Sequence, residues 1–176
     1  MAYRNQVIHD HRSGWEITFL HPAHTTNGLF LGMVIKFQSQ AHPPDFYYHP
    51  HQSIDFDVLN GELIVLLNGT SERLQPGDSL HIPANQDYAL WNSSAQPTLI
   101  NCRLRPALNA EYLLEAHATL VKQELGAENR LSYLLRSIVL ARQFSNVYRR
   151  SKVPFVLQKI VFILLTPVAY LKAHPA

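Results

Sequence analysis

Short apolar segments, cut at close intervals by tight-turn sequences, constrain this chain more than any other feature. Asn60-Gly61, Asn68-Gly69 and Pro76-Gly77-Asp78 separate Ile54–Leu59, Leu63–Leu67 and Ser79–Ile82. Tyr88–Trp91 and Thr98–Leu104 follow, and Trp15–Leu20 and Leu29–Phe37 precede, bounded by His21-Pro22, Asn27-Gly28 and Pro43-Pro44. Within Leu29–Phe37 the residues Leu29, Leu31, Met33, Ile35 and Phe37 recur at every second position. Period two marks a strand with one buried face. Several such strands joined by tight turns predict a sandwich or barrel.

After Pro106 the texture becomes helical. Asn109 is a candidate N-cap for a helix over 110–125, with Glu111 in its first turn and Gly126 as its stop. A second helix is expected from about Glu128 to Phe144. A third begins near Pro154, and Pro167 is expected to end or kink it. The third is strongly apolar. Its uninterrupted run, Ile160–Leu165, is far short of the ~20 residues that span a bilayer. It is therefore expected to bury itself against the barrel or a second subunit. The alternative is an interfacial membrane helix over 154–171, with Arg149, Arg150 and Lys152 beside anionic headgroups.

With 47% hydrophobic and 16% charged residues, the composition is that of a globular chain. A formal net charge of +2 and no dense basic stripe argue against nucleic acid. Cys102 is the only cysteine and the amino-terminal stretch is polar, so a cytoplasmic location is expected.

The stretches HPHQSIDFDVLNGEL and LQPGDSLHIPANQDYALWN resemble the two motifs of the cupin superfamily, with Gly61, Gly77, Pro83 and Asn92 at matching spacing. The resemblance implies a mainly β fold, a cupin-type double-stranded β-helix (jelly-roll) barrel over 1–106, with a C-terminal α-helical extension over 107–176. That extension is similar to one carried by a group of single-domain cupins. Family members hold a metal with three histidines and a glutamate. Counting from Gly61 and Gly77 puts Tyr47, His49, Ile54 and Tyr88 at those positions, with Asn85 in place of the second glycine, so one ligand of four survives. In a second register, His49, His51 and Asp55 form a two-histidine, one-carboxylate site for a divalent metal such as Fe, Mn, Ni or Zn. That register turns Ile54, Phe56 and Val58 outward. The first register is preferred, and no cofactor is expected.

In the preferred register the barrel has apolar walls, including Met33, Ile54, Phe56 and Val58, and sparse polar groups, His49, Tyr47 and Tyr88 with His51 or His81. This describes a small-molecule pocket. Metal-free epimerases of the same superfamily use a histidine and a tyrosine. By that precedent His49, Tyr88 and Tyr47 are the candidate catalytic residues for isomerisation, cyclisation or dehydration of a lipophilic metabolite. His51, Ile54, Phe56, Val58, Met33 and His81 are the candidate substrate contacts. A metal-dependent oxygenase or isomerase, a non-catalytic ligand-binding module and homodimerisation through the helices remain alternatives. His9, His11, His21 and His24 read as surface residues, and Trp91 as packing at a strand end.

Overall fold

The computed structural model describes residues 1–10, 13–39, 45–125 and 130–173. Pro43-Pro44, Gly126, Glu128, His11 and His174 lie outside the described residues. Two antiparallel sheets face each other. The first has the order β1-β2-β3-β10-β5-β8: β1 Val7–Asp10, β2 Trp15–His21, β3 Leu31–Phe37, β10 Thr98–Arg105, β5 Ser53–Asn60 and β8 Ser79–Ile82. The second has the order β11-β4-β9-β6-β7: β11 Arg149–Arg150, β4 Tyr47–Tyr48, β9 Tyr88–Trp91, β6 Leu63–Leu67 and β7 Thr70–Leu74.

Strand parity sets the inside of this sandwich. On β5, Ile54, Phe56 and Val58 are buried while Asp55 and Asp57 turn outward. On the neighbouring strands Met33, Ile35, Ile82, Ile100 and Cys102 join the same core. The preferred register is therefore the one the chain adopts. Burying each of these aliphatic side chains contributes roughly 1.5–3 kcal/mol. Leu29, expected among the inward residues, instead lies before β3 and is 72% exposed. Outside, Asp57 meets Arg103 (3.3 Å), Asn101 (3.2 Å) and Ser79 (2.9 Å).

Gly61 makes the β5–β6 turn possible. Its φ is +77°, and a Cβ there would sit 2.7 Å from the Pro97 carbonyl oxygen and 2.9 Å from Thr98 Cα. Any side chain meets both a left-handed backbone and fixed backbone atoms. Asn85 stands at the family's second glycine with φ 64°, a conformation asparagine tolerates. Its N–H donates to the His49 carbonyl at 2.7 Å. Asn92, fully buried, donates to the Gln96 carbonyl at 2.7 Å and accepts from Ser94, so its role is to hold a turn.

Helix α1 (Ala110–Leu125) rests on β1. Glu111 is buried and accepts from the Ala23 N–H at 2.9 Å, and Glu115 accepts from Gln6 at 2.8 Å. Asn109 starts the helix through its carbonyl, which accepts from Leu113 N–H, while its side chain accepts from Asn146. Helix α2 (Arg130–Gln143) leads to β11, and α3 (Phe155–Ala173) packs on α2. Of the two effects expected of Pro167, an end to the helix is not seen: α3 runs on to Ala173. One missing N–H removes a single backbone bond from a 19-residue helix, and packing against α2 outweighs that loss. Nor is α3 buried all round, since several of its apolar side chains are exposed.

Candidate functional site

Tyr47 on β4 lies directly opposite Tyr88 on β9. Cross-strand partners project to the same face, and their rings come within 4.6 Å. His49 follows Tyr47 by two residues and shares its face. It is only 9% exposed. Tyr88 is 1% exposed and packs edge-on against Phe56 at 6.3 Å.

Both imidazole nitrogens are engaged. Nδ1 is 2.7 Å from the Val147 carbonyl oxygen, and Nε2 is 2.9 Å from the Tyr88 hydroxyl. A carbonyl can only accept, so Nδ1 carries the proton and donates it. Nε2 then offers its lone pair, and the Tyr88 O–H donates to it. The backbone bond fixes the tautomer and the ring orientation.

Electrostatically the cluster is neutral. Burial pushes the His49 pKa down to about 4, opposed by its bond to Val147. Burial also raises the Tyr47 and Tyr88 hydroxyls well above the ordinary phenol range. Tyr148 adds a third phenol, its ring 5.2 Å from Tyr47 and its pKa raised by burial. The arrangement is a neutral imidazole with one basic nitrogen facing a phenol, in an apolar surround. It can accept a proton at Nε2 and donate hydrogen bonds from phenols, the two halves of acid–base catalysis.

The cover over this cluster was not anticipated. Residues 144–151 cross back from the helices, and β11 pairs with β4, Arg149 opposite Tyr48 and Arg150 opposite Tyr47. Ser151 N–H donates to the Phe46 carbonyl at 3.1 Å. Val147 is fully buried. Nothing in the local sequence marks a backbone carbonyl 98 positions from His49 as its partner. Gln52 was also missed. It is 1% exposed and its amide donates to the Pro106 and Ala107 carbonyls at 2.8 and 3.0 Å, fastening the barrel to the root of the tail. A lone glutamine among histidines carries no pattern.

Two expected substrate contacts are corrected. His81 faces outward with its side chain 60% exposed, and its Nδ1 is 2.7 Å from Asp55. The reason is register: Asp55 opposes His81 while Ile54 opposes Ile82, so the inward isoleucines force the histidine out. His51 is exposed as well. Ile54, Phe56, Val58 and Met33 do stand inside, as core side chains.

The alternative metal triad does not assemble. His49 is inside, His51 is exposed, and Asp55 pairs outside with His81 and Arg105. Among the described residues no group of three or more His, Cys, Asp or Glu could hold a metal ion. At the family's ligand positions stand two neutral phenols, an isoleucine and one histidine already bonded at both nitrogens. That donor set does not fit a divalent cation.

Comparison with known proteins matches residues 33–102 to a family described as Cupin domain. No curated protein matches the chain significantly. Among solved structures, one described as a predicted oxalate decarboxylase from Thermotoga maritima superposes with a TM-score of 0.52 at 15% identity, covering 60% of this chain and 99% of that one. KdgF from Halomonas sp. gives 0.49 at 18% identity, covering 59% and 91%. Ectoine synthase from P. lautus gives 0.48 at 16% identity, covering 57% and 70%. At 15% identity the likeness to the Thermotoga maritima structure is one of fold.

Proposed function

We propose that this chain, whose residues 33–102 match a cupin family, is a cupin whose barrel carries out metal-independent proton transfer on a lipophilic small molecule. The reaction class is isomerisation, cyclisation or dehydration. One observation carries the reading: a tautomer-locked neutral imidazole, His49, whose unprotonated nitrogen meets the Tyr88 hydroxyl at 2.9 Å. In the proposed reaction His49 Nε2 takes a proton from carbon next to a carbonyl. Tyr88, with Tyr47 beside it, donates to the developing enolate oxygen. The imidazolium then returns its proton to another carbon, or to a departing hydroxyl. Entry of a substrate requires residues 144–151 to move aside, because Val147 and Tyr148 cover the cluster. The apolar surround supports an apolar substrate, and the buried thiol of Cys102, its pKa raised by burial, takes no part. A cytoplasmic site of action belongs to the same proposal.

Solvent-deuterium incorporation tests it. The protein is incubated in D2O with a panel of apolar enolisable ketones and esters, and label is read by mass spectrometry. Exchange is expected, unaffected by chelator, and reduced by roughly 10²–10⁴ in His49→Gln. Equal exchange in that variant, or loss of exchange on chelation, overturns the proposal. Tight binding of a panel member without label transfer assigns the barrel to ligand carriage instead.

A further inference from the structure

The charges of this chain are unevenly divided. After Glu128 there is no further Asp or Glu, and residues 131–176 carry seven Lys and Arg. The first 130 residues carry eight Lys and Arg against thirteen Asp and Glu. A near-neutral total thus conceals an acidic balance over residues 1–130 and a final stretch, 131–176, that holds Lys and Arg but no Asp or Glu.

The same stretch holds an exposed apolar surface. On α3 the exposed side chains are Val156 (70%), Leu157 (52%), Ile160 (48%), Val161 (41%), Ile163 (67%) and Leu164 (64%). At about 100° per residue they occupy one continuous sector of about 160°. Phe162 and Thr166, both buried, lie on the other side, toward α2. Lys159 borders the exposed sector. Its ammonium lies 5.0 Å from the Phe155 ring centroid, and the Arg149 guanidinium lies 3.6 Å from it. Two cations therefore flank Phe155 at the amino-terminal end of the helix, while nearby Lys152 pairs with Asp45 at 2.6 Å.

We propose that α3 docks in the plane of an anionic phospholipid bilayer, its exposed sector among the acyl chains and its cations at the headgroups. Charge decides between this partner and a second copy. Pairing α3 with itself brings together two 131–176 stretches that contain Lys and Arg but no Asp or Glu. Pairing it with the barrel of another copy lays six apolar side chains on a surface of ion pairs such as Asp55–His81 and Asp57–Arg103. An anionic bilayer meets both requirements at once. Crossing is not involved, since no helix among the described residues is long and apolar enough to span a membrane. The inference is independent of the proposed chemistry in the barrel.

Flotation of the full chain with vesicles tests it. One set contains phosphatidylcholine alone, the other phosphatidylcholine with phosphatidylglycerol. Co-flotation is expected with the anionic set and falls as salt screens the charges. Ile163→Glu with Leu164→Glu, both at exposed positions, is expected to weaken it more than tenfold with unchanged circular dichroism. Lys159→Glu is expected to weaken it at least fivefold. Absence of wild-type co-flotation at low salt overturns the proposal, as does equal binding to both vesicle sets. A dimer in light scattering that the double variant dissolves, without vesicle binding, also overturns it and gives the face to a second copy.

Discussion

At the scale of single residues the site is governed by what a buried imidazole requires. His49 has a folded-state pKa of about 4 against 6.5 for the ordinary side chain, burial being the main cause. Between those values the unfolded chain binds the proton and the folded one does not. Stability is then fully present above about pH 6.5 and falls as pH drops toward 4, by about 3 kcal/mol in all. Urea unfolding across this range is expected to show that slope, and His49→Gln to flatten it. Tyr88→Phe removes the donor to Nε2 and leaves a buried lone pair unmet, costing about 1–3 kcal/mol in thermal or urea unfolding. Tyr47, His49 and Tyr88 were legible in the sequence because each stands at a fixed count from Gly61 or Gly77 and parity does the rest. His81 was legible too, had the alternation from Ile82 been followed one step back. The Val147 carbonyl was not, because a backbone atom has no signature in sequence.

Elements announce themselves when their pattern is apolar and their ends are marked. Leu63–Leu67, Ser79–Ile82 and Tyr88–Trp91 occupy the spans their turns dictate. Thr70–Leu74 went unread because four of its five residues are exposed and show no alternation. The two-residue strands Tyr47–Tyr48 and Arg149–Arg150 exist only through pairing with distant partners. Pro167 left two outcomes open, an end or a kink, and the helix continues past it to Ala173. The turns carry their own prediction. Gly61→Ala is expected to destabilise by more than about 1 kcal/mol, since a positive φ and a backbone clash act together. Gly69→Ala shares the φ of +77° but meets nothing within 4 Å, so it is expected to cost less. The difference in urea midpoints isolates the steric part.

Across the whole molecule, barrel and tail are joined by hydrogen bonds at several points. Gln52 binds the root of the tail, Glu111 and Glu115 tie α1 to the segments that follow β2 and precede β1, and Val147 completes the surroundings of His49. A chain ending at Pro106 is expected to bind a hydrophobic dye, and the pKa of its His49, followed by NMR, to rise from about 4 toward 6.5. An unchanged histidine titration would mean the tail contributes nothing to the cluster. The hydrogen bond between Val147 and His49 also orders events during synthesis. The ribosome makes the imidazole early and its carbonyl partner nearly a hundred residues later. A nascent barrel thus leaves the exit tunnel with that ring free to choose either tautomer and to take up a proton, and it becomes committed only when the last third of the polypeptide arrives.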